Sequence, residues 1–347
     1  MKCPRADGGG LCSAVSRSVR PLASLPPVER ARSLDNLHRQ RTPGIWGRVF
    51  RLRYLATVLR RLSAGIEPVE ALPVPRPEAG TVSVTFVGHA TTMITAPRTR
   101  LVTDPLLETS FYGIRRAQEA GIAAENLADV DLILITHAHR DHLSRSSLRR
   151  LPRSAVLVVP TGCAPLVAGL GFVEVVELAP GKRHDQADVE VTAVPVRHSA
   201  RRGMGDYRRR GACGYVVAAK TPPTAAGGAR QATIYVAGDT GYFSGFAEIG
   251  RRFQPDVAML PIGGYDPIEL RDEHLSPLDA CCAFEDLRAR IMIPTSYGAF
   301  PLGYERLDAP VAWLRQLAQE RDWARADADQ RVTILDPGQT VHLRMHA

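Results

Sequence analysis

His137, His139, Asp141 and His142 fall within six residues, in the run Thr136-His137-Ala138-His139-Arg140-Asp141-His142-Leu143. Imidazole nitrogens and carboxylate oxygens are the donors that borderline divalent cations take, at about 2.0–2.2 Å. An H-x-H-x-D-H spacing on an irregular loop can send His137 and His139 to one ion and Asp141 and His142 to a neighbour. Two ions about 3.5–4 Å apart clamp the attacking and leaving oxygens of a hydrolytic displacement. A solvated, His-rich turn is the bland alternative. The specificity of the spacing and the further donor candidates downstream weigh against it.

Such side chains need rigid supports. Val130-Asp131-Leu132-Ile133-Leu134-Ile135 directly before the motif has the β-branched, apolar character of a buried strand, and a helix is expected from Leu143. His198 follows Val191-Thr192-Ala193-Val194-Pro195-Val196, and Asp239 follows Ile234-Tyr235-Val236-Ala237-Gly238. A lone His or Asp at a strand end is ordinarily a turn residue. Here the placement repeats, so donors from several strand ends would converge on one edge of the sheets. Val82–Val87, Met93-Ile94, Leu101-Val102, Val156–Val159, Val173–Leu178, Val189–Val194, Tyr215–Ala218 and Thr233–Val236 read as strands, with a helix around Pro165–Leu170. The pattern is that of one αβ unit followed by a second. Pro222–Ala229 reads as a hairpin connection. No G-x-S-x-G nucleophile elbow is present.

The 347 residues suffice for one large α/β domain or two smaller ones. Lys and Arg number 44 against 36 Asp and Glu, a net +8 that favours an anionic substrate or surface without implying a specific nucleic acid. Cys3, Cys12, Cys163, Cys213, Cys281 and Cys282 form no C-x-x-C pair, which points to free thiols in a reducing compartment. With no signal-type apolar region and no apolar run of about 18 residues, the expectation is a cytoplasmic protein, at most peripheral to a membrane.

Residues 1–35, rich in Gly, Ser, Pro and Arg, are expected to be mobile. Residues 36–80 are expected to form a basic arm and an extended Pro73/Pro75/Pro77 connector, ahead of a hydrolase domain over 81–347. Within the arm, apolar residues from Trp46 to Leu62 alternate at helical spacing with Arg48, Arg51, Arg53, Arg60 and Arg61. That face suits either an anionic membrane surface or packing on the main domain.

Gly88-His89-Ala90-Thr91, Thr103-Asp104-Pro105, Thr136–Leu143, His198 and Ala237-Gly238-Asp239-Thr240-Gly241-Tyr242 together resemble the metallo-β-lactamase superfamily. Phe246–Gly250, Pro261–Pro267 and Gly298-Ala299-Phe300 extend the resemblance to its branch of N-acyl-phosphatidylethanolamine-hydrolysing phospholipases D, over about residues 36–320. The resemblance implies an α/β fold, the αββα sandwich, with the site at one edge. It implies two zinc ions, the first held by His137, His139, His198 and Asp239, the second by Asp141, His142 and a bridging Asp239. His89 and Asp104 become candidates for orienting ligand imidazoles, Asp141 for a catalytic role, and His274 for a general acid, a substrate binder or a replacement ligand for the second ion. The implied reaction is phosphodiester hydrolysis of a phospholipid by zinc-activated water, with Asp141 accepting a hydrogen bond from the nucleophile.

There is one departure from the branch. Its histidine ligand for the second ion is replaced by Ser296, so that site must be weaker, differently coordinated or completed by water. The basic loop bearing Arg201, Arg202, Arg208, Arg209 and Arg210 offers forked donors for a phosphate, against the alternative of a solvated charge run. Competing readings are hydrolysis of a lactone or nucleic-acid phosphodiester on the same fold, and a metal-binding member without turnover.

Overall fold

The computed structural model describes residues 55–202, 210–221, 230–325 and 330–345. The chain opens with a three-stranded antiparallel meander, β1 (Thr81–Gly88), β2 (Thr91–Thr95) and β3 (Arg100–Thr103). After a small hairpin, β4 (Ser110–Phe111) and β5 (Ile114–Arg115), three strands add in parallel beyond β3: β6 (Leu132–Leu134), β7 (Val156–Pro160) and β8 (Glu174–Leu178). The second half repeats that plan. Strands β9 (Arg183–Gln186), β10 (Val189–Val194), β11 (Gly214–Thr221) and β12 (Arg230–Val236) run antiparallel. Strands β13 (Val257–Pro261), β14 (Ile291–Thr295) and β15 (Arg331–Val332) then follow in parallel, and β16 (Thr340–Arg344) returns to pair with β1. The result is two seven-stranded sheets, in the orders β16-β1-β2-β3-β6-β7-β8 and β15-β14-β13-β12-β11-β10-β9.

Side-chain alternation sorts the apolar residues into layers. Leu132 and Leu134 point into the core between the sheets, where they meet Phe86, Leu101, Val191 and Val217. Ile133 and Ile135 point the other way, into a core shared with Leu143 of the histidine loop and with Leu148 and Val167 from the flanking helices. The second sheet is covered in the same manner by Gly245–Phe253, Pro277–Leu287 and Ala309–Glu320, which bury Phe246, Phe284 and Leu314 against Tyr235 and Leu260. Central strands with two apolar faces read as continuous apolar runs, which is why β6, β7 and β13 are visible in the sequence. This is the expected αββα sandwich.

Local chemistry sets the element ends. Pro277–Leu287 starts with a capping box, Ser276 Oγ accepting from Asp279 N at 3.3 Å and Asp279 Oδ2 accepting from Ser276 N at 3.0 Å. The helix expected from Leu143 is instead Arg145–Leu148, because Ser144 takes the N-cap, its Oγ accepting from Ser147 N at 3.2 Å. The helix expected through Leu170 stops at Val167, ahead of left-handed Gly169. Cys163, Cys213, Cys281 and Cys282 are buried free thiols, and burial pushes Cys213 and Cys281 up to about 12.

The segment 1–35, the arm up to residue 54 and the Pro222–Ala229 loop lie outside the described residues. Residues 55–63 are helical and expose Leu55, Leu59 and Leu62. The connector is tied down by Asn126, which bonds Val74 N at 3.0 Å and Val74 O at 2.9 Å, and by Arg76, 2.8 Å from Asp131. Among the described residues no helix is long and apolar enough to cross a membrane.

Tyr215, fully buried on β11, donates to Ile135 O at 2.7 Å and so joins the second sheet to the segment that launches the histidine loop. Tyr215→Phe is expected to lower stability by about 1 kcal/mol, the net worth of such a bond. A urea midpoint identical to wild type would contradict that coupling.

Candidate metal centre

The histidine loop is fixed from beneath by Asp104, whose φ of +42° is rare outside glycine and turns the carboxylate under the loop. Its Oδ1 accepts from Thr136 N at 2.7 Å, and its Oδ2 accepts from Thr136 Oγ1 at 2.6 Å and from His142 Nδ1 at 2.8 Å. Thr136 thus gives its hydroxyl proton to Asp104, so the 3.0 Å contact between Thr136 Oγ1 and His137 Nδ1 makes that ring nitrogen the donor. Nε2 of His137 is left as a bare lone pair. His198 is set the same way: its Nδ1 donates to Glu273 O at 3.0 Å, which frees Nε2.

Those two nitrogens approach a third. His137 Nε2 lies 3.0 Å and His198 Nε2 3.1 Å from His139 Nδ1. One proton on His139 could satisfy only one of the contacts, whereas a shared cation satisfies all three lone pairs. Donors at about 2.0–2.1 Å from a tetrahedral ion are about 3.4 Å apart, close to this spacing. Burial, reinforced by His142 and His198, holds His137 well below the ordinary imidazole range. Burial likewise lowers His139, and with His274 beside it His198 falls to about 4. All three are therefore neutral, the form that binds metal.

A second donor group adjoins the first. His142 Nε2 is 3.1 Å from Asp239 Oδ2 and 3.8 Å from Asp141 Oδ2, and His137 Nε2 is 3.9 Å from the same Asp239 oxygen. Asp239 therefore stands between the groups, where a two-oxygen ligand can bridge. Burial opposes charge on His142, yet Asp239, Asp104 and Asp141 outweigh it and push this imidazole well above its ordinary value. Against the same burial, His142 and its neighbours hold Asp141 and Asp239 below the usual carboxylate range. This balance of two carboxylates by one imidazolium is what a divalent ion would replace, and the nitrogen and oxygen donors suit a first-row ion.

Asp239 is positioned by Gly238, whose φ is +63° and where a Cβ would lie 2.6 Å from Thr136 Cβ. His274 Nδ1 is 3.7 Å from Asp239 Oδ2, with the side chain 19% exposed at the mouth of the site. Its segment is anchored by Arg271, which donates to Asp279 at 2.7 Å. Ser296, buried at φ +56°, donates to Asp239 Oδ1 at 3.3 Å.

The remaining sequence candidates divide. Asp104 engages the outer nitrogen of His142. His89 makes no such bond: among the described residues neither ring nitrogen has a hydrogen-bond partner, and Nε2 instead lies 3.4 Å from Asp141 Oδ2. Arg202 donates to Ala138 O at 2.9 Å and Leu143 O at 2.6 Å, bracing the histidine loop, while Arg201 is exposed. Arg210 is turned to Gly162 O, at 2.6 Å; Arg208 and Arg209 lie outside the described residues. A cavity of about 450 Å³ beside the loop is lined by Arg140, Arg145, Arg149 and Arg202 with Glu108, Phe111 and Tyr112. Only Arg202 of these was singled out from the sequence. Arg140 sits inside the motif, but nothing in a sequence brings Arg145 and Arg149 to the same wall.

A family model described as the β-lactamase superfamily domain matches residues 99–297. A metal-dependent hydrolase of Pyrococcus furiosus is 30% identical over 265 residues, covering 76% of this chain and 100% of that one. N-acyl-phosphatidylethanolamine-hydrolyzing phospholipase D 1 of Caenorhabditis elegans is 28% identical over 239 residues, 63% of this chain. That match spans 64% of the relative, slightly under two thirds of its length. A metallo hydrolase of Ignicoccus hospitalis shares the fold with a TM-score of 0.55 at 22% identity, over 76% of this chain and 99% of that chain.

Asp104 acts through the loop it holds. Asp104→Asn, which turns an acceptor into a donor facing His142 or Thr136, is expected to weaken metal affinity about 10–100-fold. Competition titration against a chromophoric chelator measures this, and an unchanged affinity would remove Asp104 from the positioning scheme.

Proposed function

The chain belongs to the β-lactamase superfamily and has the metallo-β-lactamase fold of a metal-dependent hydrolase, and on that basis we propose a zinc-dependent phosphodiesterase of phospholipase D type. Its substrates in this reading are N-acyl-phosphatidylethanolamine-like lipids. The observation that carries it is the pair of adjoining donor groups at the ends of β6, β10 and β12. His137, His139, His198 and Asp239 would hold one ion; Asp141, His142 and Asp239 would hold the other. When bound, zinc supplies Lewis acidity and lowers the pKa of water toward about 7.

The protein's own groups do the rest. Asp141, kept ionised by its imidazole neighbours, accepts a hydrogen bond from the attacking water and orients it. His274, partly exposed beside Asp239, is placed to give a proton to the leaving alkoxide. Buried Asp104 and Thr136 keep the imidazoles in the tautomers the site requires.

Two observations support a phospholipid over a neutral ester. The arginine-walled cavity next to Arg140 offers forked donors for a phosphate and aromatic faces from Phe111 and Tyr112 for an apolar chain. The helical residues 55–63 present Leu55, Leu59 and Leu62 on the surface, as an interfacial helix does. This reading puts the enzyme in the cytoplasm at a membrane surface. The similarity to a phospholipase D adds to it.

The test is product analysis by mass spectrometry with N-acyl-phosphatidylethanolamine, a cyclic nucleotide and a lactone offered together. Phosphatidic acid and N-acylethanolamine are expected, abolished by chelation and restored by zinc. Lactone opening alone would contradict the phosphodiesterase reading, and no turnover with zinc bound would favour a non-catalytic member. Replacing Arg140 and Arg149 together with alanine is expected to raise KM for the lipid about 10-fold or more with kcat little changed, since two charge-assisted contacts of about 1.5–3 kcal/mol each are at stake. An unaltered KM would take the cavity out of the substrate path.

A further inference from the structure

The proposed second ion has one protein donor fewer than the resemblance implies. Asp141, His142 and the bridging Asp239 account for three, and the position for which the resemblance implies another imidazole holds Ser296. Its hydroxyl is a weak neutral donor and is directed to Asp239 Oδ1 at 3.3 Å. A different imidazole already faces the gap. His89 follows β1 where the β1–β2 register shifts, and it adopts φ +58° after Gly88 at +114°. A left-handed histidine is uncommon, and such strain gathers where a side chain must be aimed.

Three contacts fix that aim. The His89 carbonyl accepts from Ser296 N at 2.9 Å, so the two loops are joined backbone to backbone. Phe300 packs against the ring in a T-shaped pair, with centroids 5.8 Å apart and planes at 88°. The side chain is 1% exposed, and Nε2 is 3.4 Å from Asp141 Oδ2. Donor atoms of His89, Asp141 and His142 all lie within 4.8 Å of one another. Among the described residues both nitrogens of His89 and Nε2 of His142 are buried without hydrogen-bond partners. Buried polar atoms are rarely left so, and a group of them around two carboxylates calls for a cation.

We propose that His89, on the loop after β1, supplies an imidazole to the second ion where the adjoining β14 loop offers only Ser296. The inference rests on the two-metal reading above and goes beyond it by reassigning one ligand. Because Nδ1 of His89 has no acceptor to hold the ring, this site is the weaker of the two.

The test compares wild type, His89→Asn and His89→Asn/Ser296→His. Asparagine tolerates the left-handed backbone, so the variant retains the turn. Zinc equivalents are counted by mass spectrometry after equilibrium dialysis, and visible absorption follows Co²⁺ titration. Wild type is expected to bind two ions of unequal affinity. His89→Asn is expected to keep the tight ion and weaken the other at least about 10-fold, the loss seen when even a supporting group is removed. Ser296→His in that background is expected to restore it. Two undiminished ions in His89→Asn would overturn the assignment of His89 and leave the two-metal reading standing. A wild type that binds one ion, or none, would overturn both.

Discussion

Everything in this molecule answers to one electrostatic constraint: buried imidazole lone pairs and carboxylates are packed within contact distance of one another. His137, His142, Asp104 and Asp239 are at most 4% exposed, yet their charges and lone pairs face inward. Asp239, Asp104 and Asp141 together push His142 toward its protonated form, a positive charge in the place where a divalent cation would sit. A protein core does not gather such groups for stability, because every one of them gives up hydration to be there.

The fold makes the gathering geometrically cheap. Two sheets of the same plan, an antiparallel half followed by a parallel half, face each other across an apolar core, and the ends of β6, β10 and β12 reach one edge. The strands supply rigidity and the short loops beyond them supply direction. Three of the left-handed non-glycine residues, His89, Asp104 and Ser296, lie there and turn the loops that carry the donors. Tyr215, reaching from β11 to Ile135, ties the two halves together directly under the histidine loop.

Much of this was legible in the sequence. The β6 run of Leu132–Leu134, the H-x-H-x-D-H spacing after it, and His198 and Asp239 after their own strands identify both the layer plan and most donors, because strand ends and donor types are local properties. What was not legible depends on pairing between distant segments. His89 reads as a supporting residue until its loop is seen bonded to Ser296, more than two hundred residues away in the chain. Arg201 and Arg202 look equivalent as letters, yet one is exposed and the other braces Ala138 and Leu143. The helix expected from Leu143 starts later because Ser144 caps it, a boundary that helical periodicity does not register.

The claim on which the rest depends is that these donors hold metal ions used in hydrolysis. The most direct measurement is the metal-to-protein ratio of the purified chain alongside its hydrolysis of bis-p-nitrophenyl phosphate, for wild type and for the His137→Ala/His139→Ala pair. The account predicts that wild type carries a transition metal and turns over, and that the double replacement loses both together. A wild type free of transition metal, or a double variant with undiminished turnover, would contradict it.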